Sequence, residues 1–118
     1  MISVPSTAQL LAVYYGTLGR WVGAATGNPG TSQTPSLEAT GGSPSYLREE
    51  TTWSAGSVET GGQIIGSTVT VNLQAATYTY IILASGQSGN NMIDSAEITT
   101  TKLKGQGTLV IEPVYNQN

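Results

Sequence analysis

A chain of 118 residues with four basic and seven acidic side chains, a net charge of −3, and neither histidine nor cysteine closes off several chemistries at once. It can build no disulfide, no thiolate metal site and no imidazole base, so no catalytic centre, metal or cofactor is expected. Four scattered cations do not make the basic face of a nucleic-acid binder, and no window approaches the ~20 apolar residues of a membrane span.

The length suits a single domain over residues 1–118 that buries its own core without a staple. Only 9% of residues are charged, against about 25% in an average soluble domain. Short neutral polar residues take their place. That composition suits exposed β-structure, and equally a surface covered by neighbours.

In chain order, "STAQLLAVYYG" is the one helix expected, with Ser6 or Thr7 as cap, Leu10, Leu11 and Tyr14 as apolar face, and Gly16 closing it. The stretch "MISVPSTAQLLAVYYGTLGR" carries no basic region or long apolar run of the kind that begins a secretory signal. "GRWVGAAT" reads as a short buried strand around Trp21 and Val22. "TGNPGTSQTPSLEATGGSP" is a long turn-rich connection, with Gly-Asn-Pro-Gly a turn. Connections this long are uncommon in compact domains unless functional or docked. "YLREETTWSA" has β-favouring residues at both ends, and Gly61-Gly62 marks a turn before "QIIG".

"STVTVNL" alternates, with Val69, Val71 and Leu73 on one face, as a half-buried antiparallel strand does. "TYTYIILAS" is apolar on both faces from Ile81 and belongs in the middle of a sheet. "MIDSAEITT" alternates out of phase, Ile93 falling opposite Ala96 and Ile98. "KGQGTLVIEPV" turns Leu109 and Ile111 inward and stops at Pro113. The expected fold is mainly β: a compact antiparallel β-sandwich or jelly-roll-like barrel of five to seven strands with one short N-terminal helix. Residues 1–6 and 113–118 are expected to be extended arms that order on neighbours.

The charged stretch of "GGSPSYLREETTW" carries the first candidate site. Arg48, Glu49 and Glu50 are adjacent, between Tyr46 and Trp53. In one reading the two aromatics lie on the core and Arg48 pairs with Glu49, Glu50 or another carboxylate. In the other, the charges meet a neighbouring subunit and select its register. Adjacent glutamates on a strand point to opposite faces and so cannot form an acid–base pair. Lys102 and Lys104, two apart, share a face and suit a protected sheet edge or an acidic partner. Asn90, Asn91, Asp94 and Glu97 lack the spacing of a calcium loop. Eight aromatics, Tyr or Trp with no Phe, suit interfaces or the stacking of sugar rings. Candidate interface residues are therefore Tyr46, Arg48, Glu49, Glu50, Lys102, Lys104 and Tyr115.

"GGSPSYLREETTW", "RWVGAATGNPG", "ATYTYIILASGQSGN" and "KGQGTLVIEP" occur in an order that resembles a family of small tailed-phage proteins of actinobacterial phages, known as tail fibre or minor tail proteins. The resemblance runs over roughly residues 6–113, with Gly41, Gly42, Ser43, Pro44, Tyr46, Arg48 and Trp53 at its most specific segment. Where that family carries Gly-Leu-aromatic, this chain has Ile81-Ile82-Leu83. The resemblance implies a virion structural protein, made in the host cytoplasm and placed on the exterior of capsid or tail. The chain has no heptads, collagen triplets or repeats from which to build a fibre shaft. A decoration protein on the outside of the capsid is the leading expectation. A minor tail component, with a receptor- or glycan-binding module, is the alternative. Partners would be the major capsid protein or tail subunits, together with self-association such as a trimer.

Overall fold

The computed structural model describes residues 4–56 and 61–117. Among the described residues one helix, α1 (Pro5–Leu18), precedes nine strands: β1 (Trp21–Ala25), β2 (Glu49–Glu50), β3 (Trp53–Ala55), β4 (Gln63–Gly66), β5 (Val69–Leu73), β6 (Ala76–Ala84), β7 (Met92–Leu103), β8 (Gly107–Ile111) and β9 (Val114–Asn116). They form three antiparallel sheets, ordered β2-β1-β6-β7, β3-β4-β9 and β5-β8. The expected mainly β class is what the chain adopts, and its open sheets stack as a sandwich. Two strands exceed the expected five to seven: "YLREETTWSA" divides into the short β2 and β3, and β9 lies in the segment expected to be an arm.

The main core fills the space between the first sheet and the β5-β8 ribbon. Val22, Ala24 and Leu83 from one side meet Val69, Val71, Leu73 and Ile111 from the other. The alternation of "STVTVNL" works as expected: Val69, Val71 and Leu73 are all buried. β6 is the central strand foreseen, paired with β1 on one side and β7 on the other. A second, smaller cluster of Ala25, Ile82 and Met92 lies on the opposite face of the same sheet.

The phase problem in "MIDSAEITT" has a structural cause. The β6-β7 register slips between Leu83 and Ala84, where Ile93 is the extra residue, and again between Tyr78 and Tyr80. A bulge of one residue reverses which side chains face the core. At the second slip Ile98, Thr99 and Thr100 of β7 stand against Thr79 alone, and Tyr78 belongs to the main core while Tyr80 packs on the smaller cluster.

Two expectations at the ends are corrected. Residues 114–116 are not a free arm: β9 pairs with β4 through Ile64↔Tyr115, and Gln117 N–H donates to Gly62 O. Pro113 ends one strand as expected, and the chain then resumes pairing in a different sheet. At the other end Pro5 already starts the helix, with Val4 at its N-cap position, so neither Ser6 nor Thr7 caps it. The first three residues of the other expected arm lie outside the described residues.

Candidate functional site

The helix is the first element whose placement departs from its sequence pattern. Ala8, Ala12 and Gly16, spaced four apart, form its buried stripe. Leu10, Tyr14 and Val13 point outward at 71%, 63% and 50% exposure, with Leu11 and Leu18 beside them. The apolar face expected at Leu10, Leu11 and Tyr14 is turned to solvent, and the small residues are buried instead. The cause is close approach: a Cβ on Gly16 would lie 3.1 Å from both Ile64 and Trp53, so no large side chain fits between helix and β4. Gln9 fastens the contact, its amide donating to Gln63 O and accepting from Gly62 N–H. Gly61 and Gly62 hold φ of 65° and 78°, a left-handed turn that glycine adopts without steric cost. The helix sequence has no charged residue at all.

The charged stretch resolves differently. Arg48 is 2% exposed and its side chain lies against Gly23 of β1. Its partner is neither Glu49 nor Glu50 but Glu38, in the long connection. Nε and Nη2 each donate to one oxygen of that carboxylate, at 2.8 and 2.9 Å. Nη2 also donates to Gly89 O, and Nη1 to Gly86 O and Asn91 Oδ1. All five guanidinium N–H groups are thus satisfied. Tyr46 donates to Glu38 Oε2 at 2.6 Å and accepts from Ala24 N–H of β1, next to the bridge between Ala25 and Glu38. Gly23 is required here, since a Cβ would collide with the Tyr46 hydroxyl.

The electrostatics follow the geometry. The hydrogen bonds to Glu38 hold the Arg48 guanidinium above its ordinary pKa, although burial opposes them. Burial, then the hydrogen bond to Glu38 and its negative charge, push the Tyr46 phenol well above its usual value. Arg48 therefore leaves the candidate interface, because its charge is spent inside the chain, and Tyr46 is half-buried beside it. Glu49 is half-buried in β2, while Glu50 is exposed and sits 3.6 Å from Arg20. Lys102, on the outermost strand of its sheet, and Lys104, in the turn after it, are both exposed, as their spacing implied.

Tyr115 belongs to a third feature, a groove of about 270 Å³ between β7 and β9. Val22, Ile81 and Leu83 line its apolar side, and Asp94, Ser95 and Asn116 are its polar members. Tyr15, Trp53 and Tyr115 complete it. Tyr115 stacks on Tyr15 with centroids 3.5 Å apart and planes 8° from parallel, and Trp53 meets Tyr15 edge-on. Tyr15 donates to Asp94 Oδ2 at 2.7 Å, linking the helix to β7. Its phenol is held well above its ordinary pKa by burial and then by the Asp94 hydrogen bond.

Sequence patterns did not bring Tyr15, Trp53, Asp94 and Tyr115 together, because they come from four separate elements. Nor did they single out Glu38, although a lone acidic residue in a long polar connection was a usable signal. Among the described residues no cluster of acidic groups is suited to a metal ion. None of their helices is long and apolar enough to cross a membrane. No protein-family profile, no curated protein and no solved structure matches the chain.

Proposed function

We propose that this protein is a non-enzymatic structural component of a tailed-phage virion, a decoration protein bound to the outside of the capsid through the exposed face of α1. The single observation that carries an attachment role is the inverted helix, which buries alanine and glycine and exposes Leu10, Leu11, Val13, Tyr14 and Leu18. Side chains of this size at about half exposure present several hundred Å² of apolar surface, the scale of the largest patch on a typical monomer. An uncharged face costs little to desolvate, so a shell subunit with an apolar groove can cover it.

The ordered segments of phage resemblance support the virion setting. Binding to the assembled shell and not to free subunits stabilises the shell by mass action. Many copies on a symmetric lattice let modest single contacts accumulate.

The test is copy number per purified virion, by quantitative mass spectrometry against the major capsid protein. A count on the scale of the capsid lattice supports decoration. A handful of copies moves the protein to the tail, and absence from virions overturns the proposal.

A further inference from the structure

We infer that the groove between β7 and β9 binds a neutral pyranose ring. Its size fits such an occupant: about 270 Å³ falls just below the ~300–1,000 Å³ of sites for drug-sized ligands. Its chemistry is narrower still. The polar tips of all three aromatics are already engaged within the chain. Trp53 Nε1–H donates to Gly19 O, the Tyr15 hydroxyl to Asp94, and the Tyr115 hydroxyl to Gln117 Oε1. Tyr15 and Tyr115 cover one face of each other, so what these half-buried side chains leave for a ligand is their remaining ring surface.

Beside that surface stands an acceptor. Asp94 takes the Tyr15 hydroxyl on Oδ2 and the Ser95 N–H on Oδ1. Each carboxylate oxygen has a further lone pair, and the residue is exposed. Asn116 adds an amide on the opposite strand. Among the described residues no lysine or arginine lines the groove, and its one ionisable carboxylate repels anions. The matching ligand therefore has an apolar face to lay on rings and neutral hydroxyls to donate at its edge. A pyranose ring has both, with C–H groups on its faces and hydroxyls around its perimeter. The inference is independent of the attachment role, because the groove and the outward face of α1 are different surfaces.

The test uses the intact ¹⁵N-labelled protein and four probes: the methyl glycosides of glucose, galactose, mannose and N-acetylglucosamine. Glucuronate and tetramethylammonium serve as charged comparisons. At least one glycoside is expected to shift the Trp53 indole and the Ser95 and Asn116 amide resonances saturably, with millimolar affinity. Asp94→Asn keeps an acceptor for Tyr15 and should weaken that binding about tenfold, the loss of one charge-assisted hydrogen bond. Tyr115→Ala should abolish it, and if that variant fails to fold, D94N and Tyr115→Leu carry the test. Silence of these resonances with every glycoside overturns the inference. So does a response to glucuronate or tetramethylammonium alone, or shifts mapping away from the groove. None of these outcomes alters the copy number per virion, so the two proposals fail separately.

Discussion

The side of the first sheet that holds Arg48 and the side of the molecule that holds α1 solve opposite problems. Around Arg48 a charge is buried and every donor on it has an acceptor within the chain. Along α1 apolar side chains of equal bulk stand in solvent while small ones are buried. The first region is complete as folded. The second leaves its larger apolar side chains uncovered, and it is there that the proposed attachment places a partner. The charged stretch thus turned inward in this chain, and on the proposed reading it is the misplaced hydrophobicity of α1 that marks the attachment surface.

The sharpest way to break that contrast is Arg48→Ala. Removing one partner of a buried pair strands Glu38 and should cost about 3–5 kcal/mol in urea unfolding. A loss under about 1 kcal/mol would mean that Arg48 is not locked inside. The exposed pair is the control: Arg20→Ala removes a contact at 3.6 Å between side chains that are 60% and 46% exposed, and should change stability by at most about 1 kcal/mol.

An alkaline titration probes the closed region next. Tyr46 and Tyr15 ionise at higher pH in the folded chain than in the unfolded one, where the value is about 10. Above about pH 10 the folded state therefore holds more protons, and stability falls as pH rises; below it these two groups contribute no slope. Unfolding midpoints from about pH 8 to pH 11 should show a decline that Tyr46→Phe and Tyr15→Phe each reduce. An undiminished decline in both variants would place its origin elsewhere.

The smallest stability effect is expected on the open side. Leu10→Ser with Tyr14→Ser should shift stability by about 0.5 kcal/mol or less, as exposed substitutions do, while abolishing attachment to purified capsids. Retained attachment would remove the helix from the interface. A large loss of stability would show that these side chains support the fold itself.

How much of this was legible depends on how local each cause is. The β5 alternation and the Gly-Asn-Pro-Gly turn follow from neighbouring residues, and both formed: Asn28 Oδ1 accepts from Gly30 N–H within that turn. The inward face of α1 was not legible, because it is set by how closely Ile64 and Trp53 approach Gly16 from distant strands. Arg48 has two glutamates beside it in sequence, yet Glu49 falls on the opposite face and Glu50 pairs with Arg20, and the partner comes from ten positions upstream. β9 was hidden by Pro113, which ends one strand and gave no sign that another sheet would take up the next three residues. The out-of-phase run in β7 was legible as an irregularity, and its meaning was a bulge.

The five donors of Arg48 also bear on the order in which the chain folds. They tie residues 38, 86, 89 and 91, so the side chain can be stripped of water only after two separate loops have been brought to it. Contacts across such sequence separations carry a loop-closure cost that is met before they reward it. On that ground the guanidinium is expected to lock after the barrier has been crossed, its contribution falling on the escape rate from the native state. In a chevron plot Arg48→Lys should steepen neither limb but raise the unfolding rate, leaving refolding nearly unchanged. The residue that looked like a handle for a partner would then be the latch that sets how long each folded molecule lasts.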